Sequence, residues 1–531
     1  MNKKKDIKAS IPSDKHNVKA AINGEGKKAP RSLPSWGLYL MGFILMWIFC
    51  CLVFGPVFRH LADENYFCTD RLAMEHVLSE PFGNIYWCGR FLLMMFQWQL
   101  VGGTILALLL TLSAWSIDRC MSARLRGAGF LLPVILMTWT VSRGYNLYMR
   151  CDPSQWLVVT IIAVIVSLII GIIVLFIKKG AQPILPLKKQ YGTFIMVVAT
   201  IGLSVFAWQT KQNVILSCSM QNRLWNEDWQ GMVSDAMKAK HPDRSVAAFY
   251  TIACNQQHLL LENLFNISFN FDDAHLDDIT GLYESENYIA EMDFHAGMTL
   301  SAYRTAMGHL CLLGPRLRYM KIMAVSAIIE GDQALAQRFL TLIDKMPGQH
   351  AFVEKYQYLL DNPDQSDKYP AITRLIEVAP QITAEMNEKG VFEQDFRQPI
   401  FIGYNLAATL CNEESLYTSM AAALYVKSLD NVVARARVMR SQGIALPTCV
   451  QQAIAIAAMN RKGLLEEFSV DNIITQQVNA FSQEVKPFVQ KDDKEGAISA
   501  LHKSWMGTYM YYYYCENLAE REDESNDSSV N

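Results

Sequence analysis

Asp63 and Glu64 stand side by side just past an apolar run that ends at Phe58. Adjacent carboxylates at such a place can serve as a general base or hold a divalent cation, and they suit a helix cap or a solvated turn equally well. Arg143 and Arg150 flank a later apolar region. Their guanidinium groups have the chemistry to hold a lipid phosphate, although basic residues at a membrane interface are common without that task. Cys68 and Cys88 share one short segment with the acidic pair. A disulfide between them is an option if that segment faces an oxidising compartment, since spacing alone does not fix pairing. The acidic run Asp272, Asp273, Asp277 and Asp278 around His275 lacks the alternating ligands and closing Glu of a calcium loop, and reads as a solvated loop. No His-Glu-x-x-His, Gly-x-Ser-x-Gly, phosphate loop or dinucleotide fingerprint occurs, so no metal and no cofactor is expected.

The elements that must position these groups are membrane spans. Trp156 to Ile177 holds no charged side chain and ends in Lys178 and Lys179. At about 1.5 Å per helical residue such a run covers roughly 30 Å, the thickness of a bilayer's hydrocarbon core. Five spans are expected, at residues 36–58, 91–116, 127–148, 156–177 and 191–209. The third is the ambiguous one, because it contains Pro133 and runs into Arg143. If it crosses, the inside loops hold 16 basic residues against 5 in the short outside loops; if it does not, the balance narrows to 14 against 7. The positive-inside bias favours five, with a cytoplasmic N-terminus and everything after Gln209 outside the cytoplasm.

Charge divides the chain at the same place. Up to residue 209 there are 21 Lys and Arg against 10 Asp and Glu, leaving 27 against 41 beyond it, within a net charge of −3 over 531 residues. An acidic second half argues against nucleic acid as a partner. Residues 1–35 read as a disordered basic tail and 516–531 as an acidic one. Most of the twelve cysteines sit among apolar neighbours, as small buried hydrophobes do.

The 210–515 region is helical in pattern, which makes the expected fold class all-α. Ala336, Phe339, Leu340 and Ile343 make one apolar stripe ahead of Pro347, and the segment before it, Tyr319 to Glu330, stops at Gly331. Starts at Asp228, Asp332 and Asp430 lie 104 and 98 residues apart, each near three periods of about 34 residues. A short strand is expected at Ile267 to Phe271, where apolar and polar residues alternate. Trp505, Tyr509 and Tyr511 to Tyr514 fall in the last helix and are expected to close the core.

Ala324, Gly331-Asp332, Ala336, Leu340 and Pro347 resemble a tetratricopeptide repeat, which implies a stacked-helix, solenoid-like domain. Over nearly its whole length the chain is also similar to an uncharacterised family of multi-pass membrane proteins from Bacteroidota. Glu80-Pro81-Phe82-Gly83, Gly102-Gly103, the Tyr303 to Leu342 block and Thr508-Tyr509-Met510-Tyr511-Tyr512 carry that similarity. It implies an inner-membrane anchor and a periplasmic helical array, with no activity attached. Two readings follow. One is a scaffold, held in the lipid bilayer, whose helical domain binds a protein or peptide in the periplasm. The other rests on a resemblance to polytopic glycosyltransferases acting on polyprenyl-linked sugars, which carry an acidic pair in the first external loop but have many more than five spans. Convergence of Asp63, Glu64, Arg143 and Arg150 on one membrane-level cavity would favour the enzyme.

Overall fold

Long runs poor in charge recur between residues 36 and 209, and in the computed structural model they fold into packed helices. The structure describes residues 35–517, apart from 80, 122–124, 151, 178–190, 272–286, 390–399, 401–411 and 492. The expected basic tail, the acidic run around His275 and nearly all of the acidic tail lie outside the described residues. So does the lysine loop at 178–190.

The anchor comprises α1 (Ser35–Ile48), α2 (Gly55–Asp63), α3 (Arg71–Ser79), α4 (Gly83–Met94), α5 (Gln99–Asp118), α6 (Leu131–Arg150), α7 (Gln155–Ile177) and α8 (Tyr191–Leu224). After it come α9 (Trp229–Ala236), α10 (Arg244–Gln256), α11 (Leu260–Asn263), α12 (Ile289–His295), α13 (Thr299–Leu313), α14 (Leu317–Ile329), α15 (Gln333–Asp344) and α16 (His350–Asp361). The chain finishes with α17 (Pro370–Lys389), α18 (Glu413–Tyr425), α19 (Leu429–Ser441), α20 (Thr448–Ala458), α21 (Leu464–Phe468), α22 (Asn472–Val489), α23 (Lys494–Trp505) and α24 (Tyr509–Cys515). The fold is all-α. No strand occurs among the described residues, and Ile267 to Phe271 is extended without a partner strand. Its alternation still does work: Ile267 and Phe269 are buried, and the Phe269 amide donates to the Glu516 carboxylate at 3.0 Å.

Four helical stretches are long and apolar enough to cross a membrane: Trp36–Val53, Gln99–Asp118, Gln155–Ile177 and Tyr191–Leu224. The expected third span, 127–148, is helical, and the apolar stretch among its described residues, Ala128–Arg143, is shorter than those four. Span boundaries also differ from expectation. The first breaks at a π-turn, Phe49–Val53, and Gln99 Nε2 donates at 2.7 Å to the Cys51 carbonyl there. This supplies a partner to a backbone group that hydrocarbon could not satisfy. The second starts at Gln99 rather than residue 91, after a break at Trp98. Gly103 lets it approach the π-turn, since a Cβ there would lie 2.4 Å from Cys51 Sγ. The last span does not stop at Gln209; α8 continues to Leu224 across a kink at Lys211 and carries the chain into the second domain.

That domain is built from sequential helices packed on their neighbours: α12 on α13, α13 on α14, α14 on α15 and α15 on α16. In α15 the buried residues are Ala336, Phe339, Leu340 and Ile343, the stripe read from the sequence. Burying each large member stabilises the fold by about 1.5–3 kcal/mol. Asp332 caps this helix through the Leu335 amide at 3.0 Å, and Asp228 caps α9 in the same way. At the third expected start the cap position is Ser428, with Asp430 inside the first turn. The terminal aromatics split between two helices, with Trp505 ending α23 and Tyr509, Tyr511 and Tyr512 buried in α24 against α20. Two anchor residues, Phe67 and Met94, belong to the same apolar cluster as Tyr319, Phe339 and Leu340. Domain and anchor therefore share a core.

Candidate functional site

Glu64 follows α2 and is 1% exposed. A carboxylate that deep needs charged partners, and they arrive from the far end of the sequence. Arg316, at the N-cap position of α14, donates through Nη1 to Glu64 Oε2 at 3.1 Å, and Arg318 through Nη1 to Oε1 at 2.9 Å. Arg318 turns its other edge to Glu291 of α12, with Nη2 donating to Oε2 at 2.6 Å and Nε to Oε1. Gln221 of α8 donates to the same Glu291 Oε1 at 3.2 Å. The two carboxylates and two guanidinium groups balance in charge, and each side chain is at most 3% exposed. Such a network is held by geometry, because unpairing any member leaves a buried charge.

Electrostatics follow from that arrangement. Burial would raise the Glu64 carboxyl, but the guanidinium groups of Arg318 and Arg316 outweigh it and bring it down to about 2. His60, one turn earlier with Nε2 3.6 Å from Glu64 Oε1, is pushed down to about 4 by burial and is neutral at pH 7.

Asp63 faces a second polar cluster. It accepts from Gln97 Nε2 at 2.9 Å and lies 3.5 Å from Arg59 Nη1. Gln349 of the second domain donates to Gln97 Oε1 at 2.8 Å. Burial works against the Asp63 charge, yet Arg59 and then Lys321 hold its carboxyl below the usual value. Lys321 itself is 5% exposed, and burial lowers its ammonium to about 8 against the pull of Asp63.

Of the four residues singled out from the sequence, the three whose side chains the structure describes do not share one cavity. Asp63 and Glu64 point into the junction between anchor and domain, with both Glu64 oxygens held by guanidinium groups. Arg143 is exposed and packs its guanidinium over Trp139, 5.0 Å from the ring centre. The Arg150 side chain lies outside the described residues. Cys68 is buried and Cys88 exposed, and both are free thiols, so the bridge is not formed in this structure. Among the described residues no group of three or more His, Cys, Asp or Glu side chains is placed to share a metal ion.

Beside the Glu64 network lies a cavity of about 400 Å³. Asn65, Phe67, Trp87 and Arg90 form its anchor side, and Leu312 and Arg316 its domain side. Arg90 of α4 is paired with Asp152 at 2.6 Å.

Sequence reasoning missed Arg316, Arg318 and Glu291. The available signal was a charge inside an apolar helical run, as in Ile289-Ala290-Glu291-Met292, which demands a buried partner of opposite sign.

No curated protein and no solved structure matches the chain. The family of unknown function DUF6057 matches it over residues 31–201 and 142–516. Those segments take in both the apolar helices and the packed helical domain, and the chain belongs to the DUF6057 family.

Proposed function

We propose that this protein is a membrane-anchored binding scaffold: a five-pass anchor in the bacterial inner membrane presents a tetratricopeptide-like helical domain to a protein or peptide partner in the periplasm. The observation that carries this reading is the fate of the acidic pair. A general base or metal ligand needs an oxygen free to act, and both oxygens of Glu64 are engaged by Arg316 and Arg318. The lipid-linked glycosyltransferase reading is left with Asp63, which accepts from Gln97 and pairs with Arg59 through one oxygen, while Glu64 serves to fix the domain in one pose on its anchor. A fixed pose limits the orientations a partner must search, which lowers the entropy lost on binding.

Parity supports the fifth pass. Glu64 follows the first span and Arg316 follows the last, and their contact supports a reading in which both lie on one side of the membrane. An even number of crossings must separate them. Helices α5, α7 and α8 supply three, so α6 supplies the fourth. Its ends agree: Asp118, closing α5, accepts from the Gly127 and Gly129 amides ahead of α6 at 2.7 and 2.8 Å. Past its other end, Asp152 meets Arg90, which precedes α5. Twenty helical residues cover about 30 Å between them. With basic loops inside, the helical domain lies in the periplasm.

The test is a charge-balanced variant, Glu64→Gln with Arg316→Met, which leaves the Arg318–Glu291 pair intact. Introduced into a deletion strain, it is expected to be folded, abundant and able to restore the wild-type phenotype. A folded and abundant variant that restores nothing would return the carboxylate to a catalytic role.

A further inference from the structure

Residues 191–210 of α8 carry no charge, and as a helix they cover about 30 Å. Lys211 is the first charged side chain after them, and the helix kinks there, with φ −130° and ψ 27°. Two side-chain amides just past the kink fasten the loop between α9 and α10 to it: Gln212 Nε2 donates to the Lys238 carbonyl at 3.1 Å, and Asn213 Nδ2 to the His241 carbonyl at 2.8 Å. Loop and span enclose a recess of about 510 Å³, whose wall includes Trp208, Lys211, Lys240, His241 and Asp243.

Charge gives the class of ligand. Lys211 and Lys240 bring two ammonium groups to one recess, and neither is bridged to a carboxylate among the described residues. The carboxylate on the wall, Asp243, caps α10 by accepting from the Val246 amide at 2.9 Å. With His241 neutral the wall keeps a net positive charge, in a part of the chain where acids outnumber bases 41 to 27. Like charges gathered at one place repel, and an anion among them relieves the repulsion.

Position gives the source. Phe194, Val198, Ile201, Val205 and Trp208 are all exposed and follow one another at helical spacing, so they form a single apolar stripe along α8. The stripe ends at the recess, with an indole at the level where such rings meet lipid headgroups. An acyl chain laid along it delivers its own headgroup to the lysines. Basic pockets at the ends of spans hold acidic headgroups in this way.

We propose that this recess binds the phosphate of a membrane lipid whose headgroup carries a net negative charge, with Lys211 and Lys240 on the phosphate and an acyl chain along the stripe from Phe194 to Trp208. Its volume lies within the range of roughly 300–1,000 Å³ usual for small-molecule sites. The site needs only that α8 crosses the bilayer, whichever face the helical domain takes.

The full chain, reconstituted in phosphatidylcholine nanodiscs, would be photolysed with phosphatidylglycerol or phosphatidylcholine carrying the same diazirine at the top of one acyl chain, and the adducts mapped by peptide mass spectrometry. Adducts at residues 205–214 are expected about tenfold more often from phosphatidylglycerol. Lys211→Gln with Lys240→Gln should bring the two probes to about parity, since a basic residue near an anionic surface is worth about fivefold. Lys240→Gln alone, in an exposed loop, should lower the preference about threefold and decides the matter where the double variant does not fold. Lys188→Gln with Lys189→Gln removes as much charge before the other end of the same helix and should leave the preference at this site unchanged. Glycerol 3-phosphate added free separates the sources: unchanged adducts support the lipid, and displacement at micromolar concentration would overturn it in favour of a soluble phosphate. Equal adducts from both probes on the wild type, or an undiminished preference in the lysine variants, would overturn the site.

Discussion

Glu64 and Arg316 are 252 residues apart in the sequence and 3.1 Å apart in the structure, both buried. The pair joins the loop after the first span to the start of a helix deep in the second domain, so its loss should be felt by the whole chain. Glu64→Ala leaves two guanidinium groups with one carboxylate and is expected to cost about 3–5 kcal/mol, the scale for breaking a buried ion pair from one side. Glu64→Gln with Arg316→Met should recover most of that. By contrast Arg71→Ala, which breaks an exposed pair with Glu75, should stay within about 0.5 kcal/mol. Thermal unfolding of the purified full chain reads all three, and an unperturbed midpoint for Glu64→Ala would show that the network is not structural.

Acid should unfold the protein in a defined order. The His60 imidazole has a folded pKa of about 4, depressed from 6.5 by burial. Above pH 6.5 both states are neutral and nothing is lost. Between 6.5 and 4 the unfolded chain takes up a proton that the folded chain refuses, so stability falls as pH falls, by at most about 1.4 kcal/mol per unit for this group. Glu64 acts in the same sense lower down. Its folded value is about 2 against an ordinary 4.5, so its contribution is complete above 4.5 and is lost toward 2. Asp293 acts oppositely, because burial raises it to about 7 and its contribution is lost as pH rises through that value. His60→Asn isolates the first effect: the variant should gain on wild type as pH drops from 6.5 to 4. Parallel stability profiles for the two would count against a neutral His60.

Packing at α15 gives a third test. Ala336 is fully buried where α15 meets α14, so Ala336→Leu adds methylenes to a filled contact. A loss of about 1–3 kcal/mol in thermal melting is expected. An unchanged midpoint would mean that the two helices are not closely packed here.

How much of this was legible depended on range. The α15 stripe and the helix start at Asp332 are local, set by 3.6-residue periodicity and a turn, and both read correctly; the capping bond from the Leu335 amide came with the structure. Four of the five expected apolar spans also read correctly, though not their ends. A π-turn at Phe49–Val53 and a break at Trp98 depend on partners such as Gln99 that approach from another helix. The acidic pair was noticed for the right reason, since two carboxylates beside a membrane need an explanation. The explanation was out of reach, because Arg316 and Arg318 lie 252 and 254 residues further along the chain and meet Glu64 only in the folded protein. Gly102 and Gly103 were visible as a motif, and their role as contact points for Phe96 and Cys51 emerged only with the packing.

The number of crossings is open to a test with the chain's own thiols. Cys88 in α4, Cys120 just after α5 and Cys311 in α13 are exposed. In the five-pass arrangement Cys88 and Cys311 share one side and Cys120 lies on the other. With α6 failing to cross, Cys88 and Cys311 would be on opposite sides. Three versions of the protein, each keeping one of these cysteines and carrying Ser or Ala at the other eleven, would be placed in right-side-out and inside-out membrane vesicles and treated with a membrane-impermeant maleimide. Labelling of Cys88 and Cys311 in right-side-out vesicles, and of Cys120 only in inside-out ones, is the expected pattern. Labelling of Cys88 and Cys311 from opposite faces would break the parity on which the shared core, the buried ion network and the placement of the helical domain all depend.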